Sequence, residues 1–350
     1  MIVYNNQSEL TEVYLGTSSI AEVYIGSNKV FPSDVPPTPT TYKLKIHVSD
    51  SASREYWREI PCDGSNRLTQ TECHDLLFQG GGQTVIDVYV GDCVEVLESD
   101  CFYNYSSTVG NGWTLYLPSS LKQWRDTGAS SNDGLEELKN ILPTIPSAIT
   151  SLPTSTKSKK FTSYVLPNTV TSIGDFFAGS PLTSFTMSES QTETGVFNGC
   201  TSLSSITIPS SVTTINDEAF KNCYSLKSLT FNGNNVISIG NSAFKVAFAS
   251  SGWSRAITLP NSVETIGANA FDESKILSIT IGTNITSIGN SAFAWSRLED
   301  ITVLATTPPT LGSGVFEHTT CTIYVPSGSV EAYKTATNWS TYASRIQAIP

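Results

Sequence analysis

Few side chains in this 350-residue chain are of types that serve in catalysis, and their spacing matches no catalytic arrangement. The chain has three histidines, His47, His74 and His318, and seven cysteines. Neither a serine–histidine–aspartate nor a cysteine–histidine arrangement follows from these positions, and no cysteine spacing is typical of a metal site. Cys73 and His74 are adjacent, but neighbouring side chains in a helix or strand point apart. We therefore expect no enzyme, no cofactor and no metal.

Carboxylates occur as adjacent pairs, which are Asp217-Glu218, Asp272-Glu273 and Glu299-Asp300. A glycosidase or a metal site would require two carboxylates from distant parts of the chain to converge. The simpler interpretation is that these pairs lie at turns, where water solvates them.

The composition excludes several classes of partner. The chain has a formal net charge of −11 and a pI near 4.8. Binding to phosphate needs a basic surface, so we expect no nucleic acid and no anionic membrane as partner. No stretch of about 18 apolar residues is present, so we expect no membrane insertion. The first residues lack the basic start and apolar core of a signal peptide, so we expect no export by that route.

A fifteen-residue phrase recurs along the chain, and its clearest copy is Ile206–Phe220. It returns at Ile257–Phe271 and Ile279–Phe293, and more loosely at Leu229–Phe244 and Tyr164–Phe177. Phenylalanines recur at positions 177, 197, 220, 244, 271, 293 and 316. A period of this length predicts a solenoid of leucine-rich-repeat type, with one strand in each coil.

Each position of the phrase has a physical role. Ile206 and Ile208 alternate with Thr207, so one face of a short strand is apolar and the other is wet. Pro209 has no backbone N–H and ends the pairing. The remaining apolar positions are expected to fill the coil interior, and they are Val212, Ile215, Ala219 and Phe220.

The phrase also predicts a sharp turn. Asn216 lies where other copies have glycine, at positions 174, 240, 267 and 289. Glycine and asparagine most readily adopt positive φ, so we expect a left-handed residue at this position.

The motif Pro-x-x-Val-x-x-Ile-Gly-x-x-Ala-Phe, followed by Cys-x-Ser-Leu as in Cys223–Leu226, resembles the BspA-like leucine-rich repeats of bacterial surface antigens. The segment Ile323–Trp339 resembles the closing coil and short helix of that family. The clear match covers residues 164–350, and fainter copies occur at Gly91–Phe102, Pro118–Trp124 and Pro146–Leu152. The resemblance implies a mainly β, right-handed leucine-rich-repeat solenoid and an adhesive role.

Seven cysteines are an odd number, so at least one has no partner within the chain. Cys200 and Cys223 each follow a repeat phenylalanine by three residues and are expected to face each other, roughly 4.8 Å apart along the ladder. A disulfide is one interpretation, and two buried thiols that pack as small apolar groups is the favoured one.

The first 31 residues contain a shorter tandem repeat, Glu12–Gly16 and Glu22–Gly26. We interpret it as very short strands joined by turns, in a segment too small to fold alone. Its Val-Tyr-x-Gly pattern resembles the virion-attachment ends of tail and fibre proteins in phages of gut bacteria. That resemblance implies an anchor that includes Val13, Tyr14, Val23 and Tyr24. The alternative is a small β-meander packed on its own protein.

The sequence predicts five segments: a β anchor at 1–31, a Pro-rich linker at 32–40, a small α+β cap at 41–84, the solenoid at 85–326 and a C-terminal cap at 327–350. In the first cap we expect a strand at Tyr42–Val48 and a helix within Leu68–Phe78. A helical turn is expected at Leu135–Asn140, inside the solenoid. The last segment should hold a helix near Ser329–Thr335, with Trp339 and Tyr342 over the final coil.

Two sets of residues form a candidate binding surface. The outward residues of successive strands should align as a hydroxyl-rich row: Tyr116, Thr186, Thr207, Thr230, Thr258, Thr280, Thr302 and Tyr324. Aromatic residues that follow the repeat phenylalanines could add contacts: Tyr103, Tyr224, Trp253 and Trp295. Hydroxyls beside aromatic faces suit a sugar or a protein surface. Threonine is also simply a good polar β-former, and the aromatics could instead pack under loops.

These observations lead to one hypothesis and two alternatives. The leading hypothesis is a phage virion structural protein, of fibre or decoration type. It would dock on other virion proteins through residues 1–31 and present the repeat surface to a host-surface glycan or protein. Such a protein would be assembled in the host cytoplasm and released by lysis. The alternatives are a bacterial cell-surface or secreted adhesin and a polysaccharide-cleaving enzyme. Homo-oligomer formation is left open.

Overall fold

The structure is a computed structural model. It describes residues 24–25, 28–29, 42–49, 55–69, 72–73, 84–98, 101, 113–125, 138–142, 145–153, 160–249 and 256–350. The chain divides into two units, Met1–Thr38 and Pro39–Pro350.

The described elements are almost entirely β-strands. The strands are β1 (Tyr24–Ile25), β2 (Asn28–Lys29), β3 (Tyr42–Ser49), β4 (Glu55–Pro61), β5 (Arg67–Leu68), β6 (Thr84–Val90), β7 (Val96–Glu98), β8 (Trp113–Tyr116), β9 (Gln123–Arg125), β10 (Leu138–Leu142), β11 (Ser163–Val165), β12 (Ser184–Thr186), β13 (Ser205–Ile208), β14 (Thr214–Ile215), β15 (Ser228–Phe231), β16 (Ser238–Ile239), β17 (Ala256–Thr258), β18 (Thr265–Ile266), β19 (Ser278–Ile281), β20 (Ser287–Ile288), β21 (Asp300–Val303), β22 (Thr310–Leu311), β23 (Thr322–Val325) and β24 (Ile346–Ala348). Helix α1 is Val330–Thr335, and 3-10 helices lie at Ser327–Ser329 and Trp339–Arg345.

The small N-terminal unit contains one described hairpin. Strands β1 and β2 pair antiparallel, with Tyr24 opposite Lys29 and Ile25 opposite Asn28. Tyr24 therefore lies in a short strand of the kind that its tandem repeat predicts. The other three anchor residues, Val13, Tyr14 and Val23, lie outside the described residues.

The large unit begins with a mixed sheet in the strand order β10-β8-β6-β3-β4. Strand β3 is antiparallel to both β4 and β6, whereas β6, β8 and β10 run parallel to one another. The strand expected at Tyr42–Val48 is present as β3, and its Leu44 and Ile46 side chains are fully buried. The antiparallel hairpin β3–β4 thus covers the first parallel coil strand, β6.

The helix expected within Leu68–Phe78 is only partly described. Leu68 belongs to strand β5 and not to a helix, because it pairs in register with Leu97 of β7. Glu72 and Cys73 are helical, and the Glu72 carboxylate accepts hydrogen bonds from the Thr69 N–H and hydroxyl. This reciprocal contact places Thr69 at the N-terminal cap position of the helix. Residues 74–83 lie outside the described residues.

Side-chain and covalent contacts fix the hairpin to the first coil. Cys62, after β4, forms a disulfide with Cys93, after β6. The Lys43 ammonium group is buried and lies 2.8 Å from Asp63 and 2.5 Å from Glu72. Burial opposes the charge on Lys43, but the hydrogen bonds to Asp63 and Glu72 outweigh it and raise the lysine pKa.

From residue 160 the chain winds into coils with two parallel ladders. One ladder, which we call the front ladder, contains the pairs β11–β12 and β13–β15 and the sheet β17-β19-β21-β23-β24. The back ladder is the sheet β14-β16-β18-β20-β22. In every front-ladder pair, like positions of the repeat lie opposite each other, as Ile206 does with Leu229 and Ile279 with Ile301. The predicted leucine-rich-repeat solenoid is confirmed.

The repeat phenylalanines form a continuous column inside the coils. Ring centroids of successive members, from Phe177 to Phe316, are 5.1–6.4 Å apart, and interplanar angles of 4–14° show that the rings are stacked. Stacked rings at the ladder spacing require every coil to keep the same register. The column ends at Trp339, whose ring lies 6.0 Å from that of Phe316.

The predicted position of the left-handed turn is wrong for most coils. Gly174 does have a positive φ of 48°, but Asn216 and the glycines at 240, 267 and 289 do not. The left-handed residues lie two positions later, at Glu218, Ser242, Asn269 and Ser291. Glycine is needed at the earlier position because adjacent coils approach closely: a Cβ on Gly267 would lie 2.6 Å from the Gly240 carbonyl carbon.

Two further expectations have different outcomes. The helical turn predicted at Leu135–Asn140 is wrong from Leu138 onward, because Leu138–Leu142 forms strand β10 and pairs with β8. The C-terminal cap is as expected: α1 covers the predicted helix, and both Trp339 and Tyr342 pack on Phe316. Strand β24 then adds one more parallel strand to the front ladder.

Candidate functional site

The outward side of the front ladder carries a row of hydroxyl groups, which we call the hydroxyl face. Thr207 lies opposite Thr230, and a second run joins Thr258, Thr280 and Thr302 to Tyr324, each opposite the next. Thr186 lies in β12, opposite Val165. The first members of the row, Thr186, Thr207, Thr230 and Thr258, are exposed, whereas Thr280, Thr302 and Tyr324 are half-buried. The ladder pairing therefore aligns the predicted residues in two separate runs, and Thr186 belongs to neither.

A second column widens the hydroxyl face, and sequence reasoning missed it. Residues two positions earlier in each strand also point outward, since side chains alternate along a strand. Ser205 lies opposite Ser228, and Ser278 lies between Ala256 and Asp300 in the later section. Burial, and then the neighbouring Glu299, raise the pKa of Asp300. The sequence contains a signal for this second column, because the recurring tripeptide Ser-Ile-Thr places two hydroxyls on one side of the strand.

Tyr116 belongs to a different part of the molecule. It lies in β8 and stacks on Tyr89 of β6, with ring centroids 4.2 Å apart and an interplanar angle of 5°. Burial, followed by the charge on Asp87, raises the pKa of the Tyr89 hydroxyl. Tyr116 is therefore part of an aromatic stack on the N-terminal mixed sheet. On β11, the first strand of the front ladder, the outward residue is Val165, which is 70% exposed.

A second surface consists of the residues that lie two positions after each repeat phenylalanine, and we call it the turn edge. All of its members have left-handed backbone conformations, with φ of 53–76°: Gly179, Gly199, Asn222, Val246, Glu273, Trp295 and His318. The N–H of each member as far as Trp295 donates to the carbonyl one position before the next member, with N···O distances of 2.6–3.0 Å. This repeated bond keeps the turn edge in register along the solenoid.

Two of the predicted aromatic contacts lie at or near the turn edge and are exposed. Trp295 is 57% exposed and stacks on His318 of the following coil, with ring centroids 3.6 Å apart. Tyr224 is 41% exposed, and its hydroxyl donates to Asn222 Oδ1 at 3.3 Å. Tyr103 and Trp253 lie outside the described residues. His318, for which the sequence analysis finds no catalytic arrangement, is therefore a neighbour of a candidate residue.

The charged groups beside the turn edge are arranged in pairs. The Lys245 ammonium lies 2.7 Å from Asp272 and 3.8 Å from Glu273. The hydrogen bond to Asp272 raises the pKa of Lys245, against the opposing effect of burial. Asp272 itself is buried, so the expectation that this acidic pair is solvated at a turn is wrong for its first member. Lys221 is likewise paired with Glu218, at 2.6 Å.

A groove of about 510 Å³ lies at the back of the early coils. Its walls include Glu95, Lys122, Gln123 and Thr150, and the Lys122 ammonium lies 2.7 Å from Glu95. The hydrogen bonds that Glu95 accepts from Lys122 and Asn66 lower its pKa. The groove is open and polar, and its opposite charges are already paired with each other.

The cysteines resolve into one disulfide and five buried thiols within the described residues. Cys200 and Cys223 remain thiols that donate to the Phe177 and Phe197 carbonyls, at 3.2 and 3.3 Å. Burial raises the pKa of Cys200 to about 12 and that of Cys223 well above its ordinary value. The favoured interpretation of these two residues is confirmed, whereas the Cys62–Cys93 disulfide was not foreseen.

Within the described residues, no three His, Cys, Asp or Glu side chains converge as a metal site requires. Of the helices in the described parts of the chain, none has the length and apolar character that a membrane span requires.

The stacked parallel strands, the in-register ladders and the phenylalanine column define a leucine-rich-repeat solenoid. The family model described as the BspA type leucine rich repeat region matches the chain in overlapping segments at residues 74–195, 154–247 and 245–338. Because these segments cover more than half of the chain, the protein belongs to the BspA-type leucine-rich-repeat family.

One solved structure of low sequence identity shares this fold, and two others match over most of the chain with lower TM-scores. A leucine-rich repeat protein from Bacteroides ovatus is 16% identical with a TM-score of 0.50, and the match covers 87% of this chain and 90% of that one. A leucine rich cell surface protein from Faecalibacterium prausnitzii is 15% identical with a TM-score of 0.28, covering 95% of each chain. The pneumococcal vaccine antigen PcpA is 12% identical with a TM-score of 0.25, covering 83% and 95%. No curated protein matches the sequence.

Proposed function

We propose that this protein is a phage virion structural protein that docks through its N-terminal segment and presents the solenoid surface to a host-surface glycan or protein. The observation that carries the proposal is the division of the chain into a small unit, Met1–Thr38, and a large repeat unit. The small unit contains the tandem Val-Tyr-x-Gly motif, and its described strands β1 and β2 are only two residues long. Such strands bury little surface, so they gain stability by pairing with other chains.

The sequence around the boundary of the two units supports the same division of labour. Residues 32–39 contain four prolines, and proline-rich segments favour an extended, semi-rigid conformation in general, which suits a linker. The virion, assembled in the host cytoplasm and released by lysis, is the location that we propose.

The solenoid offers surfaces that suit binding. The hydroxyl face presents uncharged donors and acceptors at the regular ladder spacing of about 4.8 Å. A flat array of this kind can exchange its hydrogen bonds to water for bonds to a glycan or to another protein surface. We therefore propose that the protein acts by adhesion, without a catalytic step.

The test of docking compares the full chain with a chain that lacks residues 1–31. Both are incubated with purified particles that lack the protein, and particle-bound protein is quantified after sedimentation. The matched control is a full-length variant in which Val13, Tyr14, Val23 and Tyr24 are all changed to serine. We expect the full chain to bind and both altered chains to remain in the supernatant. Equal incorporation of the shortened chain would refute the anchor.

A bacterial cell-surface or secreted adhesin is a second candidate, and specific observations favour it. The BspA-like repeats were recognised by their resemblance to bacterial surface antigens, and the Cys62–Cys93 disulfide is typical of proteins that fold in oxidising compartments. Immunogold labelling of cells and particles from the source distinguishes the two proposals. Label on intact cell surfaces without label on particles would favour the adhesin, and the converse would favour the virion protein.

A further inference from the structure

Trp295 occupies a position for which stability gives no reason to choose tryptophan. Its φ of 53° lies in the left-handed region, where a side chain with a Cβ is strained. Earlier coils place Gly179, Gly199 and Asn222 at this position, which are the residue types that tolerate it. The indole does not compensate by burial, because 57% of the residue is exposed. Val246, Glu273 and His318 share this strained φ, so the exposed indole surface, and not the strain, sets Trp295 apart and indicates a role outside folding.

The ring is held in a defined orientation. His318, at the same position of the next coil, stacks on Trp295 with an interplanar angle of 19°. His318 Nε2 lies 3.8 Å from Glu317 Oε1 on the same turn. One face of the indole is therefore covered by the imidazole, and the other face is directed away from His318, toward the coil that contains Glu273.

The surroundings of the free indole face are polar. Glu273 occupies the turn-edge position of the preceding coil, and its N–H donates to the Ala294 carbonyl next to Trp295. The Glu273 side chain is half-exposed, and Lys245 lies 3.8 Å from its carboxylate. A face of this composition combines one flat aromatic surface with nearby charged hydrogen-bonding groups.

We propose that the free face of Trp295, together with Glu273, binds a pyranose ring of an uncharged glycan. This inference deepens the proposed function, because it assigns a ligand class and a site to host-surface recognition. The C–H groups of a pyranose pack on an aromatic face, and its hydroxyls can donate to a carboxylate such as that of Glu273. Carboxylates on both sides of Trp295 and a net charge of −11 disfavour acidic glycans.

A protein partner fits the same residues less well. The centres of protein interfaces are depleted of charged residues and surround their aromatic anchors with further apolar contacts. Here the aromatic pair is bordered by Glu273 and Glu317, and among the described residues the other exposed aromatic near this edge, Tyr224, lies three coils away. A single ring-sized apolar surface among charges matches one sugar ring.

The test uses affinity electrophoresis in gels that contain dextran, yeast mannan or laminarin as neutral probes and polygalacturonate as an acidic probe. We expect retardation by at least one neutral polysaccharide, and an affinity about tenfold or more lower for Trp295→Ala. Trp295→Tyr should keep most of the affinity because it keeps an aromatic face. The matched control is Ile237→Ala, which removes a 45% exposed apolar side chain that belongs to neither candidate surface and should leave the affinity unchanged.

The opposite results would overturn the inference. Full affinity in Trp295→Ala, equal losses in Trp295→Ala and Ile237→Ala, or retardation by polygalacturonate alone would each refute this site. Binding to none of the probes would also refute it. Incorporation of Trp295→Ala into particles is measured in parallel. If Trp295→Ala loses glycan binding but is incorporated normally, the glycan site and the particle anchor are independent. If the unaltered protein and every variant are absent from particles, the virion role is refuted and the glycan result still stands.

Discussion

The coil that contains Ser188 and Gln191 departs from its neighbours at two positions that are coupled. Five other coils have proline at the position equivalent to Ser188 and a buried Val, Ile or Leu at the position equivalent to Gln191. In each of them the N–H of the second residue donates to the proline carbonyl. Here the same turn is closed by Gln191 N to Ser188 O, at 3.2 Å. Serine has a backbone N–H that proline lacks, and this buried donor bonds to Gln191 Oε1 at 3.2 Å. The Gln191 Nε2 group has no hydrogen-bond partner.

The structure gives the expected size of each change. Gln191→Val alone has two opposing effects on stability, each of about 1–3 kcal/mol. Removing the unpaired amide stabilises the protein, and leaving the Ser188 N–H buried without an acceptor destabilises it. We therefore expect little net change. Ser188→Pro alone leaves the Gln191 oxygen unpaired and should destabilise the protein by about 1 kcal/mol after the entropic gain from proline. Together the two substitutions restore the common pattern and should stabilise it by about 1–2 kcal/mol.

The measurement is a double-mutant cycle in which circular dichroism monitors urea unfolding. The expected coupling is about 2 kcal/mol, well above the roughly 0.3–0.5 kcal/mol within which independent changes add. The next coil supplies a reversed control. Val212→Gln alone should be destabilising, and adding Pro209→Ser should recover part of the loss. Additive effects at Ser188 and Gln191 would refute the proposed coupling.

Three further predictions test how the coils are held together. Gly267→Ala should destabilise the protein by about 1–3 kcal/mol in urea unfolding, because the new Cβ would lie 2.6 Å from backbone, whereas Gly328→Ala, with no atom within 4 Å, should be nearly neutral. Replacing both Cys62 and Cys93 by serine should cost about 3–4 kcal/mol, given the 31-residue separation, and a loss under about 1 kcal/mol would contradict the disulfide. Val246→Asn should increase the free energy of unfolding by about 1 kcal/mol and so raise the urea midpoint, because it removes a β-branched side chain from a residue with a φ of 56°. A lower midpoint would show that the packing of Val246 outweighs the strain.

The coil interior could be predicted from the sequence because its signal is repeated. A spacing of 20–27 residues between phenylalanines, with Ile-x-Ile and Val-x-x-Ile between them, leaves one way to bury every apolar position. The same logic extends to weak copies. Val94, Leu97 and Cys101, aligned with the clear phrase by spacing alone, are all buried.

Local preference misled where tertiary pairing decides the conformation. Leu135–Asn140 is rich in residues that favour helices, but Leu138–Leu142 forms a strand because Leu138 and Ile141 fill the interior and β8 offers its edge. The repeated glycines misled for a related reason. Glycine serves either a positive φ or a close backbone approach, and only the register of adjacent coils, as at Gly240 and Gly267, distinguishes the two.

The disulfide and the stacking of Trp295 on His318 were not predicted, for two different reasons. Cys62 and Cys93 are not at equivalent positions of a repeat, so no periodicity relates them. Trp295 and His318 do lie at equivalent positions, two residues after successive repeat phenylalanines, but they are of different types, so the repeat did not mark them as a pair. Each contact depends on how one coil is placed on the next, which the pattern of a single coil does not contain.

The solenoid separates positions that determine the fold from positions that are free to vary, and this bears on function. Interior positions hold nearly the same residues in every coil, because each side chain must fit the one above and below it. The turn edge has no such requirement beyond a tolerated left-handed φ, and it carries Gly, Asn, Val, Glu, Trp and His in turn. A ligand-binding residue can therefore be introduced there at the cost of local strain alone. Trp295 and His318 are the adjacent pair in which this freedom produces an exposed aromatic surface, so the chemistry of recognition is expected at the turn edge and not in the repeated core.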